Sequence, residues 1–254
     1  MSRILFACDL DNTLIHSYKH KREGDICIEW IDGKQQGYMS AEVCSLLNRV
    51  RQLVDFVPVT TRSMAQYQRI VWPQGGSPRL AITTHGAVLL KDGKADEAWN
   101  AATALLADAV MEDLQHIVST LEATGEYLRC RMVDQAYAFV YCRNDSSAVE
   151  TAMSCPVPQG IYRVRSGKKI YFIPVGIDKG NAVTRFGREN GHDMIICAGD
   201  SDMDVPMLSI AGLAFAPASL QPMLPDDDRI HICSNEGFAI EMLQAIERFA
   251  KENG

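Results

Sequence analysis

Short apolar runs alternate with helical patterns along most of the chain. The first run covers residues 3–8 and ends at two aspartates, and similar runs follow at 54–59, 80–83 and 194–198. Continuous apolar runs of this length are typical of strands that are buried on both faces of a parallel sheet. Because helical patterns lie between several of them, we expect an α/β fold with a doubly wound parallel sheet.

A segment at residues 16–39 interrupts this pattern before the first long helix. Two short extended stretches flank Asp32-Gly33 there, and an Asp-Gly pair in this position is a strong hairpin signal. The hairpin directly follows the first strand, so we expect it to form a flap over the carboxyl edge of the sheet. Ser40 is the predicted N-cap of a helix that continues to about Leu53.

The middle of the chain has a different order of elements, with a helix followed by two strands, twice. Tandem αββ units of this kind predict a small antiparallel sheet with helices on one face. We therefore expect an inserted α+β cap domain at 84–174, between core segments 1–83 and 175–254. The predicted cap elements are a helix at 103–123, strands at 127–133 and 136–142, a helix near Asp145–Met153, and strands at 161–165 and 169–173.

The composition excludes some classes of function. A formal net charge of −7 over 254 residues argues against nucleic acid as the partner, because phosphate backbones are bound by clustered Lys and Arg. No stretch approaches the roughly 20 apolar residues of a membrane helix. The eight cysteines lack any Cys-x-x-Cys pair, which favours free thiols in a reducing cytoplasm. No heptad pattern or other signal indicates the oligomeric state.

Four segments place polar side chains where a predicted strand ends or a helix begins. The carboxyl ends of parallel strands meet in one crevice, so these side chains should converge. The segments are Asp9-Leu10-Asp11-Asn12-Thr13-Leu14, Val59-Thr60-Thr61-Arg62, Asp178-Lys179-Gly180-Asn181 and Gly199-Asp200-Ser201-Asp202-Met203-Asp204.

This set of side chains indicates phosphoryl-transfer chemistry. Closely spaced carboxylates repel one another unless a cation joins them, and oxygen ligands suit Mg²⁺, so Asp9 and Asp200 are its natural ligands. Asp9 fits the role of a nucleophile that forms an aspartyl phosphate. Asp11 fits a general acid and base, while Lys179 and Thr60 would hold the phosphoryl oxygens.

The same four segments resemble, in order, the four motifs of the haloacid dehalogenase superfamily. The resemblance implies the roles given above, metal binding by Asp200 with support from Asp204, and a further metal ligand in the Asp11 backbone carbonyl. A cap between the second and third motifs resembles subclass IIB, which includes sucrose-phosphate and mannosyl-3-phosphoglycerate phosphatases. Thr61 stands where that pattern has glycine, and it joins the predicted phosphate-binding residues together with Arg62.

These observations predict a magnesium-dependent phosphatase that acts on a small phosphorylated metabolite, a sugar phosphate or a phosphorylated sugar acid. A phosphosugar mutase is an alternative, because the same fold and nucleophile occur in phosphomannomutases. A non-catalytic ligand-binding protein on the same fold is a third possibility. Arg62 has an alternative of its own, since an arginine at the start of a helix is as often a surface group as a substrate ligand.

Overall fold

A computed structural model describes residues 3–143 and 147–253 of the chain. It contains fifteen strands and eight α-helices in the described ranges. The strands, numbered in chain order, are β1 Ile4–Cys8, β2 His16–Ser17, β3 Ile26–Ile31, β4 Lys34–Met39, β5 Asp55–Pro58, β6 Leu80–Thr83, β7 Val88–Lys91, β8 Lys94–Ala95, β9 Tyr127–Val133, β10 Tyr137–Cys142, β11 Ile161–Ser166, β12 Lys169–Pro174, β13 Met194–Ala198, β14 Leu213–Pro217 and β15 Ile230–Cys233. The helices are α1 Ala41–Val50, α2 Met64–Tyr67, α3 Glu97–Asp108, α4 Met111–Glu122, α5 Ser147–Ser154, α6 Lys179–Asn190, α7 Val205–Ile210 and α8 Phe238–Asn253.

The chain divides into two compact units, one formed by residues 1–94 and 179–254 and the other by residues 95–178. The inserted unit was predicted at 84–174, so the compact unit at 95–178 begins and ends later in the chain than predicted. Residues 84–94 join the first unit because β7 pairs with β6 through a tight turn in which Thr84 and His85 both have positive φ. Among the described residues, no helix is both long and apolar enough to cross a membrane.

The first unit is built on the predicted parallel sheet, whose five strands run in the order β15-β14-β13-β1-β5, with helices flanking the sheet. Every residue of β1 is buried, as the continuous apolar run predicted. The strand at 80–83 differs from the prediction, because β6 belongs to a separate antiparallel sheet with β7 and β8. It meets the parallel sheet through a single bridge between Val59 and Ile82.

The flap region folds as a three-stranded antiparallel sheet in the order β2-β4-β3. Asp32 and Gly33 both have positive φ, 50° and 74°, which is the backbone that a two-residue hairpin turn requires. Ser40 caps α1 as predicted, since its side chain accepts a hydrogen bond from the Val43 amide at 3.1 Å. The helix ends at Val50 rather than near Leu53, because a turn at 51–53 leads the chain into β5.

The second unit contains the two predicted αββ units, which share one four-stranded antiparallel sheet in the order β11-β12-β10-β9. Leu114, Ile117 and Phe172 belong to the apolar core between the helices and this sheet. The predicted helix at 103–123 is two helices, α3 and α4, because Val110 leaves the helical backbone at φ −130° and ψ 15°. The predicted helix near Asp145–Met153 is found as α5, and Asp145 itself lies outside the described residues.

Candidate active site

Asp9 and Asp11 lie in a tight loop at the carboxyl end of β1. The Asp9 amide still donates to the Ala198 carbonyl at 2.9 Å, so Asp9 is held in line with the sheet. The amides of residues 13–15 all donate to the Leu10 carbonyl, and Asn12 has φ 61°, a left-handed backbone that asparagine tolerates. The loop leaves Asp9 buried and the Asp11 side chain half exposed.

Lys179 joins the third predicted motif to the first and the fourth. Its ammonium donates to Asp9 Oδ1 and to Asp204 Oδ1, each at 2.5 Å, and the side chain is 1% exposed. Burial opposes its charge, but Asp204 and Asp9 outweigh burial and raise the pKa of Lys179. Gly180 lets α6 approach α7 this closely, since a Cβ there would lie 2.6 Å from the Pro206 carbonyl oxygen.

Asp204 organises the loop that follows β13. Its Oδ2 accepts hydrogen bonds from the amides of Asp200 and Ser201 at 3.1 and 3.0 Å and from the Ser201 hydroxyl at 2.7 Å. Gly199 leaves room for this carboxylate, because a Cβ at Gly199 would lie 2.4 Å from the Asp204 Cβ. With Lys179 on its other oxygen, Asp204 accepts four hydrogen bonds and is fully occupied in holding its neighbours.

Carboxylate oxygens of Asp9, Asp200 and Asp204 lie within 4.8 Å of one another. The single ammonium of Lys179 offsets only part of the negative charge of three ionised carboxylates, so the buried cluster has an excess of negative charge. Burial and then the Asp204 charge raise the pKa of Asp200 to about 7, and burial raises that of Asp9 against the effect of Lys179. An all-oxygen cluster with excess negative charge fits Mg²⁺. Asp9 and Asp200 are suited to bind the metal directly, while Asp204 accepts hydrogen bonds from Lys179 and from the Asp200 amide.

The second predicted motif lies beside this cluster. Thr60 is fully buried, and its Oγ1 accepts from the Arg62 amide at 3.1 Å, while Thr61 is half-buried. The Arg62 side chain donates to both carboxylate oxygens of Asp11, from Nε at 2.8 Å and from Nη2 at 2.7 Å. Its 12% exposure also rules out the surface alternative.

Two further groups near this edge were not among the predicted site residues. Glu29, on the hairpin, lies 2.9 Å from Arg62 Nη1. The signal for it is a single carboxylate within the otherwise apolar run Ile26-Cys27-Ile28-Glu29-Trp30-Ile31. His85 is buried, and burial together with the Lys179 charge lowers its pKa to about 3, so it is a neutral imidazole near the ammonium.

The raised pKa of Asp200 predicts how the metal-free protein responds to pH. In the unfolded chain this group titrates near 3.9, so between about pH 4 and 7 the folded state alone holds the proton. That contribution to stability is present at low pH and is lost as pH rises through about 7. In EDTA, we expect the free energy of unfolding to fall from pH 5 to pH 8 by ~2 kcal/mol more in the wild type than in Asp200→Asn.

Urea unfolding at the two pH values measures this difference. Because other groups also titrate over the range, the comparison with Asp200→Asn isolates the contribution of this carboxyl. Mg²⁺ at pH 8 should restore stability in the wild type and less in the variant. Identical pH dependence in both proteins would show that Asp200 carries its charge without cost in the folded state.

Neither the sequence profile of any known family nor the sequence of a curated protein matches this chain. Solved structures do match it over nearly its whole length. The sucrose-phosphatase of Synechocystis, solved in complex with sucrose and phosphate, superposes with a TM-score of 0.60 at 14% identity and covers 97% of this chain and 99% of its own. The C-terminal domain of trehalose-6-phosphate phosphatase from C. albicans gives 0.63 at 13% identity, covering 98% and 92%.

A haloacid dehalogenase-like hydrolase from B. subtilis gives a TM-score of 0.62 at 15% identity, and the match covers 94% of this chain and 98% of that one. These matches include both the parallel sheet and the inserted antiparallel unit, so the similarity extends to the order of the two parts along the chain. The chain therefore has the fold of the haloacid dehalogenase-like phosphatases that carry an α+β unit inserted into a parallel core.

Proposed function

We propose that this protein is a magnesium-dependent phosphatase that hydrolyses a small phosphate monoester through a covalent intermediate on Asp9. The observation that carries the proposal is the cluster at the end of β1, where Lys179 bridges Asp9 and Asp204, and Asp200 lies beside them. A nucleophilic carboxylate, a buried cation and a set of oxygen ligands are the groups that phosphoryl transfer requires.

In the first step an oxygen of Asp9 attacks phosphorus, and the bond from phosphorus to the leaving oxygen breaks. Asp11 gives its proton to that oxygen, so that the alcohol leaves neutral. In the second step the Asp11 carboxylate takes a proton from a water molecule, whose oxygen attacks phosphorus. The bond to Asp9 breaks, inorganic phosphate leaves, and both aspartates return to their starting states.

Other residues of the site hold the charges in place. Asp9, Asp200 and the Asp11 carbonyl would hold Mg²⁺, which would supply positive charge for the phosphoryl oxygens. Lys179 limits the repulsion between Asp9 and Asp204, and its ammonium adds to the positive potential at the reacting group. The Thr60 hydroxyl, which already accepts from the Arg62 amide, has its proton to donate to a phosphoryl oxygen.

The substrate class is a sugar phosphate or a phosphorylated sugar acid. Support comes from the sucrose-phosphatase and the trehalose-6-phosphate phosphatase, whose folds this chain shares over nearly all of its length. The eight cysteines are free thiols, five of them buried, which supports a reducing compartment such as the cytoplasm.

Incubation with a panel of phosphorylated sugars and sugar acids tests the proposal. We expect release of inorganic phosphate from at least one of them with Mg²⁺, and none with EDTA. Two controls belong in the same experiment. Isomerisation of a hexose 1-phosphate without free phosphate would identify a mutase instead, and ligand binding without any turnover would identify a binding protein.

A further inference from the structure

Glu29 is a buried carboxylate that the flap sheet turns inward. In a regular strand successive side chains point to opposite faces, yet Ile28 and Glu29 are both buried, with exposed fractions of 0% and 4%. The pairing of β3 with β4 shifts register on both sides of Glu29, between Cys27 and Glu29 and between Glu29 and Trp30. Bulges of this kind redirect a side chain. The irregularity therefore places the Glu29 carboxylate in the interior.

The opposite strand leaves space for this carboxylate. A Cβ at Gly37 would lie 3.2 Å from the Glu29 Cβ and 3.3 Å from its Oε2, closer than most side-chain contacts allow. The backbone of Gly37 does not have a positive φ, so its conformation does not require glycine. The close approach to Glu29 is the reason that a glycine fits at this position.

Arg62 connects Glu29 to Asp11 through one guanidinium group. Nη1 forms an ion pair with Glu29 Oε2 at 2.9 Å, though without hydrogen-bond alignment, and Nε and Nη2 bind the two oxygens of Asp11. Burial opposes the charge of Arg62, but Asp11 and Glu29 outweigh it and raise its pKa. Arg69, with a 38% exposed side chain, binds the other oxygen of Glu29 at 3.0 Å.

The geometry limits the freedom of Asp11. Its side chain is half exposed, and a misplacement of about 1 Å in a catalytic group costs up to ~100-fold in rate. A bidentate contact from a rigid guanidinium fixes both the distance and the plane of the carboxylate. Arg62 can do this only if its own side chain is fixed, and Glu29 is the carboxylate on its other edge.

We propose that Glu29 is a positioning residue for the reaction: it fixes Arg62, which in turn holds Asp11 where it transfers protons. The inference rests on the proposed function, because it assumes that Asp11 protonates the leaving group. It assigns the flap sheet a part in catalysis through one buried carboxylate, in addition to any covering of the site.

The dependence of rate on the leaving group separates this role from a purely structural one. An ester with a good leaving group, such as 4-nitrophenyl phosphate, needs little proton transfer, whereas phenyl and 4-methoxyphenyl phosphate need more. We expect Glu29→Gln to lower kcat/KM for 4-methoxyphenyl phosphate by ~10- to 100-fold and for 4-nitrophenyl phosphate by less than ~3-fold. Gly37→Ala keeps every charge but displaces Glu29, so it should also lower kcat/KM more for 4-methoxyphenyl phosphate than for 4-nitrophenyl phosphate.

Glu23→Gln is the matched control, because it makes the same substitution at an exposed position of the same flap. It should leave the whole series unchanged. Asp11→Asn shows whether proton transfer to the leaving group can be measured in this series. It should steepen the dependence of kcat/KM on the leaving group at least as much as Glu29→Gln does. Thermal unfolding of each variant shows whether it is folded. If Glu29→Gln does not fold, Gly37→Ala still tests the inference.

Each outcome decides between the inference and the proposed function. If Asp11→Asn steepens the dependence while Glu29→Gln and Gly37→Ala lower all esters equally or none, Glu29 is structural and the inference is wrong. If Asp11→Asn leaves the dependence unchanged, the acid role of Asp11 fails, and the inference fails with it. If the wild type hydrolyses neither these esters nor any of the phosphorylated sugars and sugar acids with Mg²⁺, both are overturned.

Discussion

Asp9→Asn should abolish phosphate release, with a loss of at least ~10³-fold in kcat, because the amide nitrogen that replaces one carboxylate oxygen leaves no anionic nucleophile. The fold should survive the change. Asn has nearly the same shape, Lys179 keeps its hydrogen bond to Asp204, and one negative charge is removed from a cluster that already has an excess. Phosphate release and urea unfolding, measured on the same sample, separate the two effects.

Asp202→Asn is the matched control for this experiment. Asp202 lies in the same loop as two of the clustered carboxylates, and its Oδ1 accepts from the Met203 amide at 3.0 Å rather than joining the cluster. We expect this variant to retain activity within a few-fold of the wild type. Substantial turnover by Asp9→Asn, or an equal loss in both variants, would contradict the role of Asp9.

Lys179→Met should cause the largest loss of stability of any single change at the site. The substitution leaves the buried carboxylates of Asp9 and Asp204 without their shared partner, and breaking a buried ion pair on one side costs about 3–5 kcal/mol. In EDTA at pH 8 we expect a loss of that size in the free energy of unfolding. The loss should be smaller at pH 5, where the carboxyl groups can take up protons.

Mg²⁺ should recover part of this stability, because a divalent cation replaces the missing positive charge, while activity should remain low. Lys251→Met provides the comparison. Lys251 pairs with Glu247 on the surface of α8 at 2.8 Å, with a 60% exposed side chain, and such a pair contributes about 0–1 kcal/mol. If Lys179→Met proved as stable as Lys251→Met in EDTA, the ion pairs of Lys179 would make no net contribution to stability.

The sheet and the four motifs could be predicted from sequence because both are local signals. A strand buried on both faces, such as β1, is a continuous apolar run, and its carboxyl end is marked by the polar residue that follows. The convergence of Asp9, Thr60 and Asp200 then follows from the geometry of the parallel strands β1, β5 and β13, whereas Lys179 begins α6 after the antiparallel strand β12. The sequence therefore predicts which residue types meet at this edge of the sheet better than it predicts their individual contacts.

The features that the sequence did not predict depend either on the backbone conformation of single residues or on contacts between distant segments. The pairing partner of β6 is decided by the turn that contains Thr84 and His85, whose positive φ values no apolar pattern indicates. The break between α3 and α4 falls at Val110, where helical spacing continues on both sides. Arg62 could be taken for a surface residue because Asp11 and Glu29, its two partners, come from separate segments of the chain.

The central claim is that a phosphoryl group passes through Asp9, and trapping that intermediate tests it most directly. Wild-type protein turning over 4-nitrophenyl phosphate with Mg²⁺ is quenched in acid and reduced with borohydride, which converts an aspartyl phosphate to homoserine. Mass spectrometry of the N-terminal peptide should then show homoserine in place of Asp9 in the wild type and no reduced residue in Asp9→Asn. Phosphate release without any reduced aspartate at this position, or with the modification at another one, would contradict the account.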